Sequence, residues 1–321
     1  MKAIILNGIG GPDHLEMAEL PVPPIKTDEV LVKVKAISIN PVEAAARNNE
    51  VLLNYVYQIK GDEKNIILGW DISGIITETG AAVTRFKAGD EVFGMVKFVG
   101  QANAYAEYVA APEVDLALKP RNVSFSEASG ATLAALTAWQ SIVTNGKVRK
   151  GDKVVITGAS GGVGHYAIQI AKNFGAYVVA VASAANKDFV LSLGADEFID
   201  YRTQAFEEVI QDADMVHDAV WSDDVRHVER SLRAIKPGGK LLSLIVDLDK
   251  DMQRKLQEKN VTGARVFLRA DQDDLQSIAG LMAAGKLKTH VSRVFTLEQM
   301  PQAHALIQTK NAVGKIIVNV D

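Results

Sequence analysis

The sequence predicts an α/β protein with two domains, one a barrel-like β domain and the other a doubly wound parallel sheet. At 321 residues the chain is long enough to build two cores. Its first third carries short strand patterns separated by closely spaced turn residues, which is typical of a β barrel. From about residue 150 strand and helix patterns alternate, which indicates a parallel sheet with right-handed crossovers.

In the first third, strands are expected where apolar residues alternate or cluster between Gly and Pro turns. They cover residues 1–6, 29–37, 72–78, 91–95 and 106–111. A single helix is expected at 41–47, because Pro41 suits a first helical turn and an alanine run follows it.

The sequence pattern changes from strands to a helix at Ser124. Its hydroxyl, three residues ahead of Glu127, can cap a helix, which we predict to continue to Ile142. The later predicted strands are 153–157, 177–182, 214–219, 240–246, 291–295 and 315–320. The later predicted helices are 164–174, 187–193, 225–235, 275–284 and 297–309, with a Pro237–Gly239 turn. The last strand needs a sheet to join, so we expect residues 1–122 and 266–321 to form the β domain and 123–265 the parallel-sheet domain.

Composition excludes several classes of protein. The net charge of -4 and the dispersed basic residues argue against a nucleic-acid surface. No apolar run has the length of a signal peptide or a membrane span, so a cytoplasmic location is expected. The chain has no cysteine, and its six histidines are scattered without helical spacing. We therefore expect no metal site.

A glycine-rich loop follows the predicted strand 153–157 and precedes the helix 164–174. Ala159, Gly161 and Gly164 take the positions of G-x-G-x-x-G, with Ser160, Gly162 and Val163 completing the loop. Such a loop lets backbone N–H groups and the helix N-terminus face a pyrophosphate. A phosphate loop of the Gly-Lys-Ser type is excluded, because no lysine ends the turn. The sequence therefore predicts dinucleotide binding.

The end of the second strand selects between NADH and NADPH. NAD enzymes place an acidic residue there for the ribose 2′-hydroxyl, but no acid occurs from Ala176 to Lys187. Ser183 and Lys187 offer a hydrogen bond and a positive charge instead, although a solvated lysine at a helix start explains Lys187 equally well. We predict NADPH as the cofactor.

Together these motifs resemble the medium-chain dehydrogenase/reductase superfamily, in its zinc-independent quinone oxidoreductase (zeta-crystallin-like) branch. The resemblance covers almost the whole chain. Besides the glycine loop it rests on these segments: Ser38–Glu43, Leu68–Gly74, Gly89–Gly94, Ala104–Val109, Ala134–Trp139, Leu193–Asp196, Ile199–Tyr201 and Lys236–Gly239. It implies a GroES-like β-barrel substrate domain and a Rossmann doubly wound parallel-sheet cofactor domain.

Zinc enzymes of that superfamily carry Gly-His-Glu where this chain has Gly69-Trp70-Asp71, and a cysteine where Asn40 stands. Without a Lewis acid, an alcohol is hard to oxidise, so an electron-poor acceptor is favoured. We therefore expect NADPH-dependent hydride transfer to a quinone or an α,β-unsaturated carbonyl (enal or enone). The alternative is a non-catalytic NADPH-binding structural or regulatory protein of the same fold.

The resemblance also implies roles for individual residues. It places Asn40 beside the substrate, Thr137 beside the nicotinamide, and Ser183, Lys187 and Tyr201 near the 2′-phosphate. The loop Ala159–Gly164 carries the pyrophosphate. It further implies a homodimer, formed through an edge strand near Lys240–Val246.

The family's usual Asn-Pro-Val-Asp has Glu43 as its last residue here, and residues 48–67 match the family poorly. Tyr55 and Tyr57 lie in that poorly matching segment. One of these phenols, with Tyr55 taken as the candidate, can donate a proton or hydrogen bond to the substrate carbonyl, whereas plain packing is the commoner role of such a side chain. A short-chain dehydrogenase is excluded, because no tyrosine has a lysine four residues later.

Overall fold

The computed structural model describes residues 1–61, 63, 65–221 and 226–320. The chain divides into two compact units, Met1–Leu136 with Arg269–Asp321, and Thr137–Leu268. The first boundary thus lies between Leu136 and Thr137, whereas the sequence places it between residues 122 and 123. The reason is that the helix Phe125–Gly130 packs on strands of the first unit.

The strands up to Leu136 are β1 (Lys2–Leu6), β2 (Leu15–Glu19), β3 (Glu29–Ile39), β4 (Ile66–Ile67), β5 (Asp71–Thr79), β6 (Glu91–Met95), β7 (Tyr108–Pro112) and β8 (Leu116–Leu118). The helices that begin in this part are α1 (Pro41–Arg47), α2 (Glu50–Tyr57), α3 (Phe125–Gly130) and α4 (Leu133–Trp139). Asn49 caps α2 with a side-chain oxygen that accepts from the N–H of Leu52, although the sequence pattern did not predict this helix.

The second unit has strands β9 (Lys153–Thr157), β10 (Tyr177–Ala182), β11 (Glu197–Asp200), β12 (Ala213–Asp218), β13 (Ile235–Ser243) and β14 (Thr262–Arg265). Its helices are α5 (Gly164–Asn173), α6 (Lys187–Ser192), α7 (Phe206–Val209), α8 (Arg226–Ser231) and α9 (Lys250–Glu258). The remaining residues of the first unit form α10 (Gln272–Ala283), β15 (Val291–Thr296), α11 (Met300–Gln308) and β16 (Lys315–Asn319).

Strand β3 organises the larger sheet of the first unit. Along one side it pairs with β5, and along the other with β7 over Glu29–Lys33 and with β16 over Ala36–Ile39. The prediction that the C-terminal strand folds back onto the β domain is confirmed. Burial explains it, because Ile316, Ile317 and Val318 are fully buried once β16 joins this sheet.

The second unit contains a parallel sheet whose strand order over the described residues is β11-β10-β9-β12-β13-β14. The order reverses between β9 and β12, which is the switch point where doubly wound sheets bind their ligands. Apolar residues of several strands fill the space beneath the helices, among them Val155, Val179, Val216 and Leu241. The predicted doubly wound sheet is therefore confirmed.

Two predictions about local structure, a single helix over 124–142 and a turn at Pro237–Gly239, are wrong. The single helix from Ser124 to Ile142 is broken at Ala131, which caps α3 in a non-helical conformation, and α4 ends in a π-helical segment at Gln140–Asn145. The Pro237–Gly239 turn is a bulge inside β13, since Ile235 pairs with Ala213 and Lys240 already pairs with Met215.

The strand near Lys240–Val246 is not an edge strand, because β13 pairs with β12 on one side and with β14 on the other. The edge of the described sheet on this side is β14, a strand that the sequence pattern did not reveal. The predicted helix 225–235 is shorter, as α8 ends at Ser231, and Val225 lies outside the described residues.

Candidate functional site

The glycine-rich loop leaves the switch point of the parallel sheet and enters α5. Gly158 makes the sharp turn with φ of +62°, one residue before the position assigned to the first glycine of the motif. At Gly164 an added Cβ would lie 2.3 Å from the carbonyl oxygen of Gly158, so the helix can approach the strand only without a side chain. This close packing presents the first turn of α5 to a ligand, which fits the pyrophosphate of a dinucleotide.

The segment after β10 brings polar side chains to the same loop. Asn186 donates from Nδ2 to the hydroxyl oxygens of Ser160, at 2.9 Å, and of Ser183, at 3.3 Å. Ser160 and Ser183 are half-buried, whereas Lys187 is exposed at the start of α6. The side-chain amide of Asn186 therefore holds the hydroxyls of Ser160 and Ser183 close together. Sequence reasoning did not identify Asn186 as a site residue.

Tyr201 directly follows β11, the neighbour of β10, and is 58% exposed. Its ring lies 5.8 Å from the guanidinium carbon of Arg202. Lys187 lies over the ring of Phe198, 6.0 Å from its centre. Lys187 thus follows the end of β10, and Arg202 follows the end of the adjacent strand β11. No acidic residue lies between the end of β10 and Asp188. This arrangement suits a phosphate better than a ribose 2′-hydroxyl.

In the first unit Asn40 caps α1 and lies inside a buried polar cluster, only 1% exposed. Its Nδ2 donates to Asp71 at 2.9 Å and to Glu43 at 3.2 Å, and its Oδ1 accepts from Lys315 at 2.5 Å. The backbone N–H of Asn40 donates to Glu43 as well, at 2.5 Å. Every polar atom of the Asn40 amide is therefore engaged by an ionisable side chain.

The charges of this cluster shift one another's ionisation. Burial, followed by the Asp71 carboxylate, raises the pKa of Glu43 to about 8. Burial also raises the pKa of Asp71, although Lys315 and the hydrogen bond from Asn40 act against it. The pKa of Lys315 is lowered by its complete burial, which the two carboxylates oppose. Neutral pH therefore lies close to the range in which this cluster exchanges a proton.

The two candidate phenols differ sharply in position. Tyr55 is 69% exposed on α2, whereas Tyr57 is fully buried and stacks on Trp70 with ring centres 4.3 Å apart. The Tyr57 oxygen accepts from the N–H of Gly69 at 2.8 Å, and burial next to Glu43 raises its pKa well above the usual value. Trp70 in turn donates from its indole nitrogen to Gly100 at 2.8 Å.

Thr137 lies on α4 as the first residue of the second unit and is 7% exposed. The structure thus gathers the predicted loop residues with Ser183, and it places Asn40 in the buried cluster of the first unit. Sequence reasoning did not assign roles to Asp71, Lys315 or His304. The available signals were a charged or imidazole side chain inside an otherwise apolar stretch, as at Lys315 before Ile316 and Ile317.

Comparisons with known proteins agree with this architecture. Residues 26–121 match the alcohol dehydrogenase GroES-like domain, and residues 193–318 match the family described as zinc-binding dehydrogenase. The chain is 32% identical to the NADPH-dependent alkenal/one oxidoreductase, chloroplastic, of Arabidopsis thaliana, over 99% of this chain and 79% of that protein. The chain belongs to the medium-chain dehydrogenase/reductase superfamily.

Two solved structures of the superfamily are similar over the whole chain. The quinone oxidoreductase from Coxiella burnetii has a TM-score of 0.90 at 31% identity, covering 100% of this chain and 99% of that one. An NAD-dependent alcohol dehydrogenase has a TM-score of 0.89 at 30% identity, covering 100% of both chains. The superfamily thus includes similar chains with different cofactors and substrates, and the local site decides between them.

Two searches of the described residues concern metals and membranes. Within the described ranges no three His, Cys, Asp or Glu side chains are grouped as metal ligands. Over the same part of the chain, none of the helices combines the length and apolar character that crossing a membrane requires.

Proposed function

We propose that this superfamily member is an NADPH-dependent oxidoreductase that reduces quinones or α,β-unsaturated carbonyls. The observation that carries the proposal is the segment after β10, where Ser183 and Lys187 stand with no acidic residue before Asp188. Ser183, held by Asn186, would bind the 2′-phosphate together with Lys187 and Tyr201. The loop Ala159–Gly164 would hold the pyrophosphate.

The acceptor class follows from the residues at the positions of the zinc ligands. Trp70 is fully buried and stacked on Tyr57, and Asn40 is held by two carboxylates and an ammonium group. Neither side chain offers the thiolate or imidazole that a catalytic zinc requires. When bound, NADPH supplies a hydride to an electron-poor acceptor, and the protein supplies position and desolvation. The Arabidopsis relative, which is named for alkenals and alkenones, supports the same class.

The residues near the acceptor are part of the proposal. Asn40 would lie beside the substrate, but its amide hydrogens already face Asp71 and Glu43, so its role is to order the surrounding backbone. Tyr57 has a buried hydroxyl whose oxygen already accepts from Gly69, which leaves its proton to donate. Tyr55, the candidate from the sequence, would have to act from an exposed position. Thr137 remains the proposed nicotinamide contact.

The test is the oxidation of NADPH and of NADH, followed by absorbance, with a quinone panel and with an enal and enone panel. We expect turnover with NADPH and an at least tenfold preference for it over NADH, the effect of one or two phosphate contacts. Activity with only one panel would identify the acceptor class. Equal or better use of NADH would contradict the cofactor assignment.

A second candidate is a non-catalytic NADPH-binding protein of the same fold. It is favoured by the fully engaged Asn40 amide, which has no hydrogen left for a substrate carbonyl. NADPH binding without turnover on either panel would support it, and turnover would exclude it.

We also propose a homodimer and a cytoplasmic location. Edge strand β14 offers the N–H and C=O groups that a second copy needs to continue the sheet, and Phe267 two residues later is 67% exposed. Light scattering tests the dimer, and Phe267→Ser should weaken it. Cell fractionation tests the location.

A further inference from the structure

A chain of buried side chains extends from the polar cluster around Asn40 to the loop between β1 and β2. Tyr105 donates from its hydroxyl to Glu43 at 3.1 Å, and the same oxygen lies 2.9 Å from Nε2 of His304. On the other side of the imidazole, Nε of Arg47 donates to Nδ1 of His304 at 3.4 Å. The Arg47 guanidinium also donates to the carbonyl of Gly10. All four side chains are fully buried.

The direction of this chain is fixed at one end. A guanidinium has donors and no acceptor, so Arg47 requires an unprotonated Nδ1 on His304. The neutral imidazole then carries its proton on Nε2 and donates it to the Tyr105 oxygen. Burial and the charge of Arg47 lower the pKa of His304 to about 3, so the ring stays neutral. Tyr105 is left to donate its own proton to Glu43.

Glu43 is consequently surrounded by donors. It accepts from the Tyr105 hydroxyl, from the backbone N–H of Asn40 and from Nδ2 of Asn40. A protonated Glu43 needs an acceptor for its hydrogen, and the only one of these groups that can accept is the Tyr105 oxygen. If Glu43 donated to the Tyr105 oxygen, the Tyr105 hydroxyl would have to donate to Nε2 of His304 instead. The imidazole proton would then lie on Nδ1, facing the N–H donor of Arg47, which is unfavourable.

The charged and titratable groups around Glu43 come from several elements. They are Arg47 on α1, Tyr57 on α2, Asp71 on β5, Tyr105 before β7, His304 on α11 and Lys315 on β16. Asp71 disfavours a second negative charge, whereas Lys315 favours it. Burial is the largest influence and raises the pKa of Glu43, so the hydrogen bonds that the carboxylate accepts determine how far its ionised form is recovered.

We propose that Arg47 is a positioning residue that acts through His304 and Tyr105. The geometry directs the chain of hydrogen bonds toward Glu43, favours the ionised carboxylate, and thereby holds Asn40 in one orientation. Neither Arg47 nor His304 needs to touch a substrate for this role. The link to turnover rests on the proposed function, whereas the effect on Glu43 does not.

The first test uses infrared titration of the protein without cofactor or substrate. The carbonyl stretch of a protonated carboxylic acid is followed with pH, and the Glu43 band is assigned by its loss in Glu43→Gln. Tyr105→Phe removes the hydroxyl that donates to Glu43, so the midpoint should rise by about one pH unit, the effect of losing a hydrogen bond to a charged group. Arg47→Met should also raise it, because methionine has no donor that requires an unprotonated Nδ1 on His304.

Tyr177→Phe is the matched control, since Tyr177 is half-exposed in the second unit. It should leave the midpoint unchanged. An unchanged midpoint of the Glu43 band in Tyr105→Phe would overturn the proposal, as would an unchanged midpoint in Arg47→Met. If Arg47→Met does not fold, His304→Leu interrupts the same chain between Arg47 and Tyr105, and an unchanged midpoint there would overturn the proposal.

The second test is the pH profile of kcat with NADPH and an acceptor that the wild type reduces. Tyr105→Phe should shift the acid limb of the profile to higher pH by the same amount as the infrared midpoint. The kcat of this variant should recover once the pH exceeds the shifted limb. A uniform loss of kcat at every pH would indicate a merely structural role and contradict the proposal. A wild type without turnover would end the proposed function but leave the infrared result intact.

Discussion

The two candidate sites of this protein are built in opposite ways. The cofactor edge of the second unit comes from one loop and the ends of two adjacent strands, and its polar side chains are half-buried or exposed. The cluster around Asn40 comes from α1, β5 and β16, and its charged side chains are completely buried. A mutation at the edge should therefore change ligand binding with little loss of stability, whereas a mutation in the cluster should change both.

The largest effect is expected for Lys315→Met in the cluster. It removes the ammonium that offsets two buried carboxylates and leaves Oδ1 of Asn40 without its donor. The free energy of unfolding should fall by about 3–5 kcal/mol, as for other buried charges that lose their partner. Urea denaturation measures it, with Lys310→Met at an exposed position as control. A loss below about 1 kcal/mol would show that the cluster does not depend on this charge.

The next effect is expected for Gly164→Ala, which tests the one part of the cofactor edge that is tightly packed. The new methyl group would meet the Gly158 carbonyl, so the loop must shift, at a cost of about 1–3 kcal/mol. NADPH affinity, measured by fluorescence titration, should fall together with the melting temperature.

Gly280→Ala on α10 is the matched control, because an added Cβ there meets nothing within 4 Å. It should stabilise the protein by about 0.5–1 kcal/mol, since alanine is the better helix residue. If both variants behave alike, the close packing of Gly164 is not what shapes the loop.

A smaller effect separates the two phenols. Tyr57→Phe leaves the buried N–H of Gly69 without its acceptor and should cost about 1–2 kcal/mol, whereas Tyr55→Phe should stay within about 0.5 kcal/mol. The kcat of both variants is measured with the acceptor that the wild type prefers. The phenol that donates the proton is the one whose replacement by Phe lowers kcat. A lower kcat in Tyr55→Phe alone would show that Tyr57 is not the proton donor.

The smallest effect is expected for Lys187→Ala at the exposed end of the cofactor edge. Loss of one solvent-screened charge should raise the KM for NADPH about fivefold, or by about 1 kcal/mol, and leave the KM for NADH and the stability unchanged. Lys250→Ala, at an exposed position on α9, is the control. Equal changes for the two cofactors would show that Lys187 does not contact the 2′-phosphate.

The local features of the second unit could be predicted from the sequence, because strand, loop and helix follow one another within a few residues. The observed bounds of β9 and β10 and the first residue of α5 are those that the sequence pattern predicts. The lack of an acidic residue between Ala176 and Lys187 can be read from the sequence directly. The edge strand β14 could not be predicted, because its four residues carry no apolar alternation. Its place depends on pairing with β13.

The sequence by itself determined the two-domain α/β fold, the family and the cofactor loop, since these depend on periodicity and on glycine and acid positions that are local in the chain. Only the tertiary structure decided which charges meet. Lys315 lies far from Asn40 along the sequence, and the two are brought together because β16 pairs with β3 next to the start of α1. Burial then gives those charges their shifted pKa values, and burial is a property of the assembled core.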